Sequence, residues 1–254
     1  MEQTINYNNG DSYVGTMQGD ERHGQGLYTF KSGARYNGQW QNGKRYGKGT
    51  FYFTSGAIYD GTFIDDKPNG EGRYIFKSGD QYLGEFRHGK PNGAGIYAYT
   101  NGDRYDGNWK DGKQHGRGVY HYSNGNKFNG EWVQGMQTGV GVHLYVLGDK
   151  FEGNFNNDKR TGKGLLYLST GDYYEGDFQD DKQTGKGSLV YANGDIFKGD
   201  WRDGKKHGKG SHQFKNGDRY DGEWQNDRMH GKGTHFHATG GREAREYVNG
   251  QRKS

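Results

Sequence analysis

The sequence predicts an all-β fold: tandem 23-residue β-hairpins forming one elongated, single-layer antiparallel sheet, twisted or curved into a trough. Three observations predict it: a strict 23-residue period, a glycine and aromatic framework that follows this period, and a shortage of aliphatic residues. With only 28% hydrophobic residues and 49 glycines, the chain cannot fill a thick two-layer core. Aromatic residues make up 15% of the chain, which argues against disorder. The sequence therefore predicts a structure packed by rings.

The period is set by an aromatic anchor, which is followed by x-Gly-x and a second bulky residue. The anchors are Tyr13, Tyr36, Tyr59, Tyr82, Tyr105, Phe128, Phe151, Tyr174, Phe197 and Tyr220. The second bulky positions are Met17, Trp40, Phe63, Phe86, Trp109, Trp132, Phe155, Phe178, Trp201 and Trp224. All five tryptophans fall in this second column. Such a fixed period indicates a repeat array in which neighbouring units bury each other's surfaces.

The period also predicts the domain organisation. Ten repeats fill residues 13–242, starting at 13, 36, 59, 82, 105, 128, 151, 174, 197 and 220. Residues 1–12 match the second strand of a repeat and are predicted to be an N-terminal half-repeat. Residues 243–254 are predicted to be a C-terminal cap or tail, with Tyr247 in a closing strand that is out of phase with the repeats.

Spacing within a repeat indicates two strands. Side chains alternate between the faces of a strand, so Tyr36, Gly38 and Trp40 share one face. The glycine there is expected to let a ring from an adjacent strand lie over the backbone. After a polar turn, the Gly-x-Gly step is predicted to open the second strand, which carries its own alternating pair, such as Tyr97 and Tyr99.

Turn residues complete this prediction. Asn-Gly pairs such as Asn101-Gly102 suggest tight turns with positive φ at the end of the second strand. Pro68 and Pro91 occupy the same predicted turn position in successive repeats, where a missing N–H costs the sheet nothing.

Composition also limits function. The net charge of +4 is small beside 35 basic and 31 acidic residues, so no nucleic-acid partner is expected. The absence of cysteine excludes disulfides and thiolate metal sites. No apolar run reaches membrane-spanning length, and the first twelve residues lack the apolar core of a signal peptide. The sequence predicts a cytoplasmic protein.

The repeat pattern is clearest in residues 105–125, YDGNWKDGKQHGRGVYHYSNG. Tyr-x-Gly-x-Trp, a lysine-containing turn, Gly-x-Gly and a closing Asn-Gly together resemble the MORN repeat, and the resemblance covers nearly the whole chain. It implies a β-hairpin array that acts in scaffolding, often in cilia, basal bodies or other cytoskeletal assemblies. Radial-spoke-head proteins of the axoneme are similar, as are small stand-alone members that bind one helical segment of a partner. Some members are linked to phospholipid head groups. Others carry kinase, methyltransferase or membrane-anchor segments, for which this sequence leaves no room.

A partner-binding groove is expected in the middle of the array, because a single-layer sheet cannot cover all of its rings. The candidate residues are Tyr97, Tyr99, Trp109, Tyr120, Tyr122 and Trp132. A row of turn lysines is a second candidate, as a rim for an anionic partner: Lys44, Lys67, Lys90, Lys113, Lys159, Lys182 and Lys205. Two alternatives stay open for these rows, since the rings could serve cohesion alone and the lysines solubility alone. Asp80, Asp103, Asp149, Asp172, Asp195 and Asp218 form a comparable acidic column.

Catalytic and metal sites are not expected. His212 and His235 fall in the same column and could lie side by side, but no carboxylate or cysteine joins them at ligand spacing. The Gly-x-Gly steps lack the following helix that a phosphate loop requires. No repeat stands out from the others as a catalytic site would. The sequence thus predicts a non-enzyme that needs no cofactor.

These observations lead to two functional hypotheses. The first is a protein-protein interaction scaffold in a ciliary, axonemal or other cytoskeletal complex, which binds a helix or strand of a partner. Homodimerisation through a terminal edge is left open under this hypothesis. The alternative is a peripheral membrane adaptor that binds anionic phospholipids through its turn lysines.

Overall fold

The computed structural model describes residues 2–253, and these form one antiparallel sheet of 23 strands without a helix. This confirms the predicted fold class. The strands are β1 Glu2–Asn6, β2 Ser12–Gln18, β3 Glu21–Thr29, β4 Arg35–Gln41, β5 Lys44–Tyr52, β6 Ile58–Ile64, β7 Lys67–Ile75, β8 Gln81–Arg87, β9 Lys90–Ala98, β10 Arg104–Lys110, β11 Lys113–His121, β12 Lys127–Val133, β13 Met136–Leu144, β14 Lys150–Asn156, β15 Lys159–Tyr167, β16 Tyr173–Gln179, β17 Lys182–Val190, β18 Ile196–Arg202, β19 Lys205–Gln213, β20 Arg219–Gln225, β21 Arg228–Phe236, β22 Arg242–Val248 and β23 Gln251–Arg252.

The chain divides into two compact units. One contains residues 2–123 and Trp132–Gly135, and the other contains Asn124–Glu131 and residues 136–253. Each unit repeats the same hairpin, which has a seven-residue first strand and a nine-residue second strand.

A two-residue turn closes most hairpins. Asp111 and Gly112 both have positive φ, 51° and 84°, as a type I′ turn requires. β11 therefore starts at Lys113, three residues before the Gly-x-Gly step where the second strand was predicted to open. The step itself forms a bulge, where Gly116 has a φ of +66° and the register of β10 with β11 shifts.

The connectors between repeats are tight turns with positive φ, as their Asn-Gly pairs suggested, but the positive φ falls on the glycine alone. In one connector Tyr99 donates its N–H to Asp103 O, and Gly102 donates to Tyr99 O. Gly102 has a φ of +92°, whereas Asn101 is not among the positive-φ residues. Positive φ at Asn and Asp instead occurs in the hairpin turns, as at Asn42.

The prolines lie inside strands and not in turns. Pro68 is the second residue of β7, opposite Phe63. At the equivalent position of another repeat, the Arg45 N–H bonds the Asp66 side chain and takes no part in the ladder. Pro68 has no N–H to donate. A proline fits here because Gly89 occupies the position equivalent to Asp66, so no carboxylate loses a hydrogen-bond donor.

Each anchor ring covers a pair of glycines. Tyr105 lies over Gly107 and Gly118, which face each other across β10 and β11. A Cβ atom on Gly118 would overlap the hydroxyl end of the Tyr105 ring. The ring over the glycine between the two bulky residues was expected to come from an adjacent strand; for Gly107 it comes from Tyr105 in the same strand, and for Gly118 it comes from the adjacent strand. The anchor hydroxyl is satisfied locally, since Tyr105 Oη donates to Asn108 O at 3.0 Å.

Tryptophans join consecutive repeats. Trp109 packs edge-on against Tyr82 of the preceding repeat, with ring centroids 5.2 Å apart. Its indole Nε1 donates to the Gly95 carbonyl of that repeat at 3.0 Å. The other four tryptophans make the same bond: Trp40 with Gly26, Trp132 with Gly118, Trp201 with Gly187 and Trp224 with Gly210. The second column thus supplies both apolar contact and a directional bond between repeats.

Each end of the array has a distinct arrangement. β1 pairs with β2 from Glu2 opposite Thr16 to Asn6 opposite Ser12. At the other end β22 pairs with β21, and Tyr247 is buried against Tyr220 with ring centroids 5.4 Å apart. The prediction that Tyr247 is out of phase is wrong, because it occupies the second bulky position of the next period.

Candidate functional site

The structure brings the six predicted groove residues together within one unit. Tyr97 and Tyr99 lie 4.4 Å apart between ring centroids, and Tyr99 lies 5.9 Å from Tyr120. Tyr120 contacts Tyr122 at 4.6 Å. The four half-buried tyrosines Tyr97, Tyr99, Tyr120 and Tyr122 form a continuous surface, called the tyrosine row below.

The two tryptophans of the predicted groove lie beneath this row. Trp109 contacts Tyr97 and Trp132 contacts Tyr120, each with ring centroids 5.9 Å apart. Trp109 and Trp132 are only 7% and 4% exposed. They hold repeats together, and only the four tyrosines are partly accessible.

Aspartates of the connectors hold the tyrosine row in place. Tyr120 donates its hydroxyl to Asp103 at 2.8 Å, and the other oxygen of Asp103 accepts the Ser123 N–H at 2.7 Å. Burial and the nearby Asp103 carboxylate raise the pKa of Tyr120 well above its usual range, so the hydroxyl keeps its proton. Tyr97 bonds Asp80 in the same way at 3.2 Å. The acidic column that the sequence presented as a counterpart to the lysine rim is therefore a structural clamp.

A column of cations above the rings was missed by the sequence analysis. Arg22 lies over Trp40 at 4.3 Å, Arg45 over Phe51 at 4.9 Å, and Lys206 over Trp224 at 4.7 Å. The signal was available, since these residues and Arg160 are separated by multiples of 23.

Tyr97 and Tyr120 lack this cationic cover among the described residues. The equivalent positions beside them hold Pro91 and Gln114, neither of which is charged. Tyr28, under Arg22, is 7% exposed and Phe51 is 8% exposed, whereas Tyr97 and Tyr120 are half-buried. Tyr97 and Tyr120 are thus more accessible than the equivalent rings of the first two repeats.

The seven rim lysines are all exposed, and each is the first residue of the strand that follows a hairpin turn. Three are paired with the next turn: Lys44 with Asp65 at 3.0 Å, Lys159 with Asp180 at 3.2 Å and Lys182 with Asp203 at 3.3 Å. The sequence analysis missed these acids. The rim is a mixed row of charges.

Lysines on the opposite face are also paired. Lys163 and Lys186 border an open depression of about 870 Å³ that is lined by β14 to β18. Lys163 bonds Asp177 at 2.8 Å, and Lys186 bonds Asp200 at 2.5 Å. These contacts lower the positive potential that an anionic surface would meet.

The histidine column differs from its prediction. His212 lies 3.3 Å from the Asp195 carboxylate, which is the bond that a tyrosine makes in other repeats. His235 comes together with Asp218 and His237, and one ligand atom from each lies within 4.8 Å of the others. The expectation that no carboxylate joins the histidines is therefore wrong. Asp218 could not be assigned to the histidines from ligand spacing, because it lies almost a whole repeat before them in the sequence.

Fold and surface together define a tandem β-hairpin protein with an aromatic face. The MORN repeat model matches ten times, at residues 13–35, 36–58, 59–81, 82–104, 105–127, 128–149, 151–173, 174–196, 197–219 and 220–242. The chain belongs to the MORN-repeat family. A search of curated proteins found no match.

A comparison with solved structures found two TCP domains among its matches. The TCP10 domain of Danio rerio CPAP, in complex with a peptide of Danio rerio STIL, is 10% identical; the alignment covers 97% of this chain and 100% of that chain with a TM-score of 0.48. The SAS-4 (dCPAP) TCP domain of Drosophila melanogaster, in complex with a proline-rich motif of Ana2 (dSTIL), is 10% identical, covering 70% and 90% with a TM-score of 0.40. Residues 2–253 contain no helix that could span a membrane.

Proposed function

We propose that the protein is a non-catalytic scaffold that binds a helix or strand of a partner protein on its tyrosine row. The supporting observation is that the four half-buried rings of the tyrosine row lie side by side in adjacent repeats, and that Tyr97 and Tyr120 lack the cation that covers Tyr28 and Phe51. Tyrosine suits such a surface because its large ring and polar tip bury well at interfaces, with little side-chain entropy to lose.

Replacing Tyr99 and Tyr122 by serine tests this proposal. The double variant is expected to lose most of its partner capture, because a few aromatic residues carry most of the binding energy at an interface. Its melting temperature should change less, since the buried anchors and Trp109 keep their contacts. Pull-down followed by mass spectrometry measures capture, and thermal unfolding measures stability.

Two further variants sharpen the test. Tyr52 is 39% exposed and lies next to Phe51 in the strand, so it points to the opposite face; Tyr52→Ser should leave capture unchanged. Gln114→Arg places a cation where Arg22 and Arg45 cover rings in other repeats, and should weaken capture without loss of stability. Unchanged capture by Tyr99→Ser/Tyr122→Ser and by Gln114→Arg would show that the row serves cohesion alone.

The complex is proposed to be cytoskeletal, with a ciliary or axonemal assembly of the radial-spoke type as the first place to look. The resemblance to scaffold members of the family supports this choice. Co-localisation of the tagged protein with axonemal or centriolar markers tests it.

Self-association through a terminal edge is a further part of the proposal. Among the described strands, β1 pairs with β2 alone and offers its other edge. Light scattering after gel filtration distinguishes monomer from dimer, and a proline at Thr4 should abolish a dimer formed through this edge.

A peripheral membrane adaptor is the alternative proposal, and the ion pairs of the lysine rim weaken it. Co-sedimentation with anionic vesicles across salt concentrations separates the two proposals. Strong, salt-sensitive pelleting that is lost on replacing Lys67, Lys90 and Lys113 by glutamine would favour the lipid function.

A further inference from the structure

We propose that Asp218, His235 and His237 form a binding site for a late first-row divalent metal ion such as Zn²⁺, Co²⁺ or Ni²⁺. Two imidazoles and a carboxylate suit these ions and leave an open position for water. The three residues come from separate segments: the connector before β20, the strand β21 and the connector after β21. A bound ion would cross-link the last repeat to the one before it.

The distances suit a metal site that closes on its ion. Ligand atoms from all three residues already lie within 4.8 Å of one another. Two ligands at about 2.0–2.1 Å from a zinc ion are at most about 4.2 Å apart, so only a small adjustment is needed. The His237 side chain is 36% exposed and has room to make that adjustment.

His235 supplies the second observation. It is only 8% exposed, and its Nδ1 atom is buried without a hydrogen-bond partner among the described residues. A buried polar atom left unpaired costs free energy.

The surroundings supply the orientation that metal ligands need. Glu243 lies 3.1 Å from His237 Nε2, as carboxylates behind metal-bound histidines do. Asp218 Oδ1 accepts the Ala238 N–H at 2.8 Å, and Oδ2 accepts from Asn216 Nδ2 at 3.2 Å, which orients the carboxylate and leaves Oδ2 a second lone pair for an ion. Arg245 and Arg252 both bond Glu243, at 2.6 and 3.0 Å, and neither is paired with Asp218 among the described residues.

The preceding repeat provides a matched control. There Asp195 and His212 hold the same positions, but the third position is Phe214. The site therefore differs from its neighbour by one ligand. His237→Phe and Asp218→Asn are conservative, because Phe214 and Asn126 already occupy those positions elsewhere in the chain.

Isothermal titration of the full chain with Zn²⁺ at pH 7.5 tests the proposal, with the visible spectrum of bound Co²⁺ as a second readout. One ion per chain is expected. His237→Phe and Asp218→Asn should each weaken binding at least tenfold, and Glu243→Gln about tenfold. Phe214→His should create a second site that is about tenfold weaker, because Tyr220 stands where Glu243 supports His237.

Circular dichroism of each variant confirms that it is folded. No binding by the wild-type chain would overturn the proposal. Binding that is unchanged in both His237→Phe and Asp218→Asn would overturn it equally, by assigning the ion to other histidines such as His207 or His230. Since partner capture is measured on the tyrosine row, the two proposals fail independently.

Discussion

Gly118 illustrates the packing of a repeat at the scale of one residue. The ring of Tyr105 lies where a side chain at this position would begin, and the ring is fully buried. Neither partner can move away, because Tyr105 is held between Trp109 and Trp132, with ring centroids 5.2 and 5.3 Å away. The absence of a side chain is what lets one hairpin bury its own anchor.

Gly118→Ala is therefore expected to destabilise the protein by about 3 kcal/mol, the upper part of the range for overpacking a core. Urea unfolding measures the change. Gly112→Ala is the control, since a Cβ atom there meets only Pro91 at 4.0 Å and the cost comes from a φ of +84°, about 1 kcal/mol. Equal losses in the two variants would contradict the ring-over-glycine account.

At the scale of the element, the connectors tie one repeat to the next. Asp103 accepts a main-chain N–H from Ser123, twenty residues later, and the hydroxyl of Tyr120. Asn126 repeats the main-chain bond with Val146 at 2.9 Å, which shows that an acceptor is required there and a charge is not. The clamp thus links successive connectors along the side of the sheet where the repeats are joined.

Asp103→Ala should lower stability by about 1–2 kcal/mol through loss of these bonds, whereas Asp103→Asn should lose less. Burial raises the pKa of Asp103, but the bonds from Ser123 and Tyr120 outweigh it, so the pKa in the folded state is below its usual value. The contribution of the charge is therefore present above the unfolded pKa and is lost as pH falls through the folded one.

Thermal unfolding at pH 7 and at pH 3 checks this prediction. The difference between wild type and Asp103→Asn should be constant from pH 7 to pH 5 and should shrink below about pH 4. A difference that grows in acid would mean that the carboxylate is destabilised in the folded state.

At the scale of the whole molecule, the period makes repeats interchangeable. Deleting residues 59–81 joins Ile58 to Tyr82 and keeps every column in phase. The variant should fold with the same β-type circular dichroism, and its urea m-value should fall by roughly a tenth because less surface is exposed on unfolding. Deleting residues 59–80 removes one residue fewer and moves side chains to the wrong face, so this variant should fold poorly.

The repeat and its strands could be predicted from the sequence because anchors, tryptophans and glycines recur at one fixed spacing. The start of the second strand could not be predicted. The three residues before the bulge at Gly116 are paired in the strand, but their sequence resembles that of a turn. Pro68 was misplaced for the same reason. Tyr247 could have been placed from the period, because it lies 23 residues after Trp224, but Glu243 at the anchor position obscured the repeat.

Less of the candidate site could be predicted. The six groove residues do come together, because aromatic columns stack wherever hairpins do. The accessibility of these rings depends on whether Arg22, Arg45 and their equivalents cover them. That depends on the conformation of the arginine side chains, which the sequence does not show. The grouping of Asp218 with His235 likewise required knowledge of which connector lies beside which strand.

The tryptophan bonds make the protein its own spectroscopic reporter. Every indole N–H is fastened to a carbonyl of the preceding repeat, so opening a junction exposes that fluorophore to water and shifts its emission to the red. Four of the five tryptophans can be replaced by phenylalanine, the residue already found at Phe63 and Phe86. Comparing the five single-tryptophan variants would show at which repeat unfolding begins.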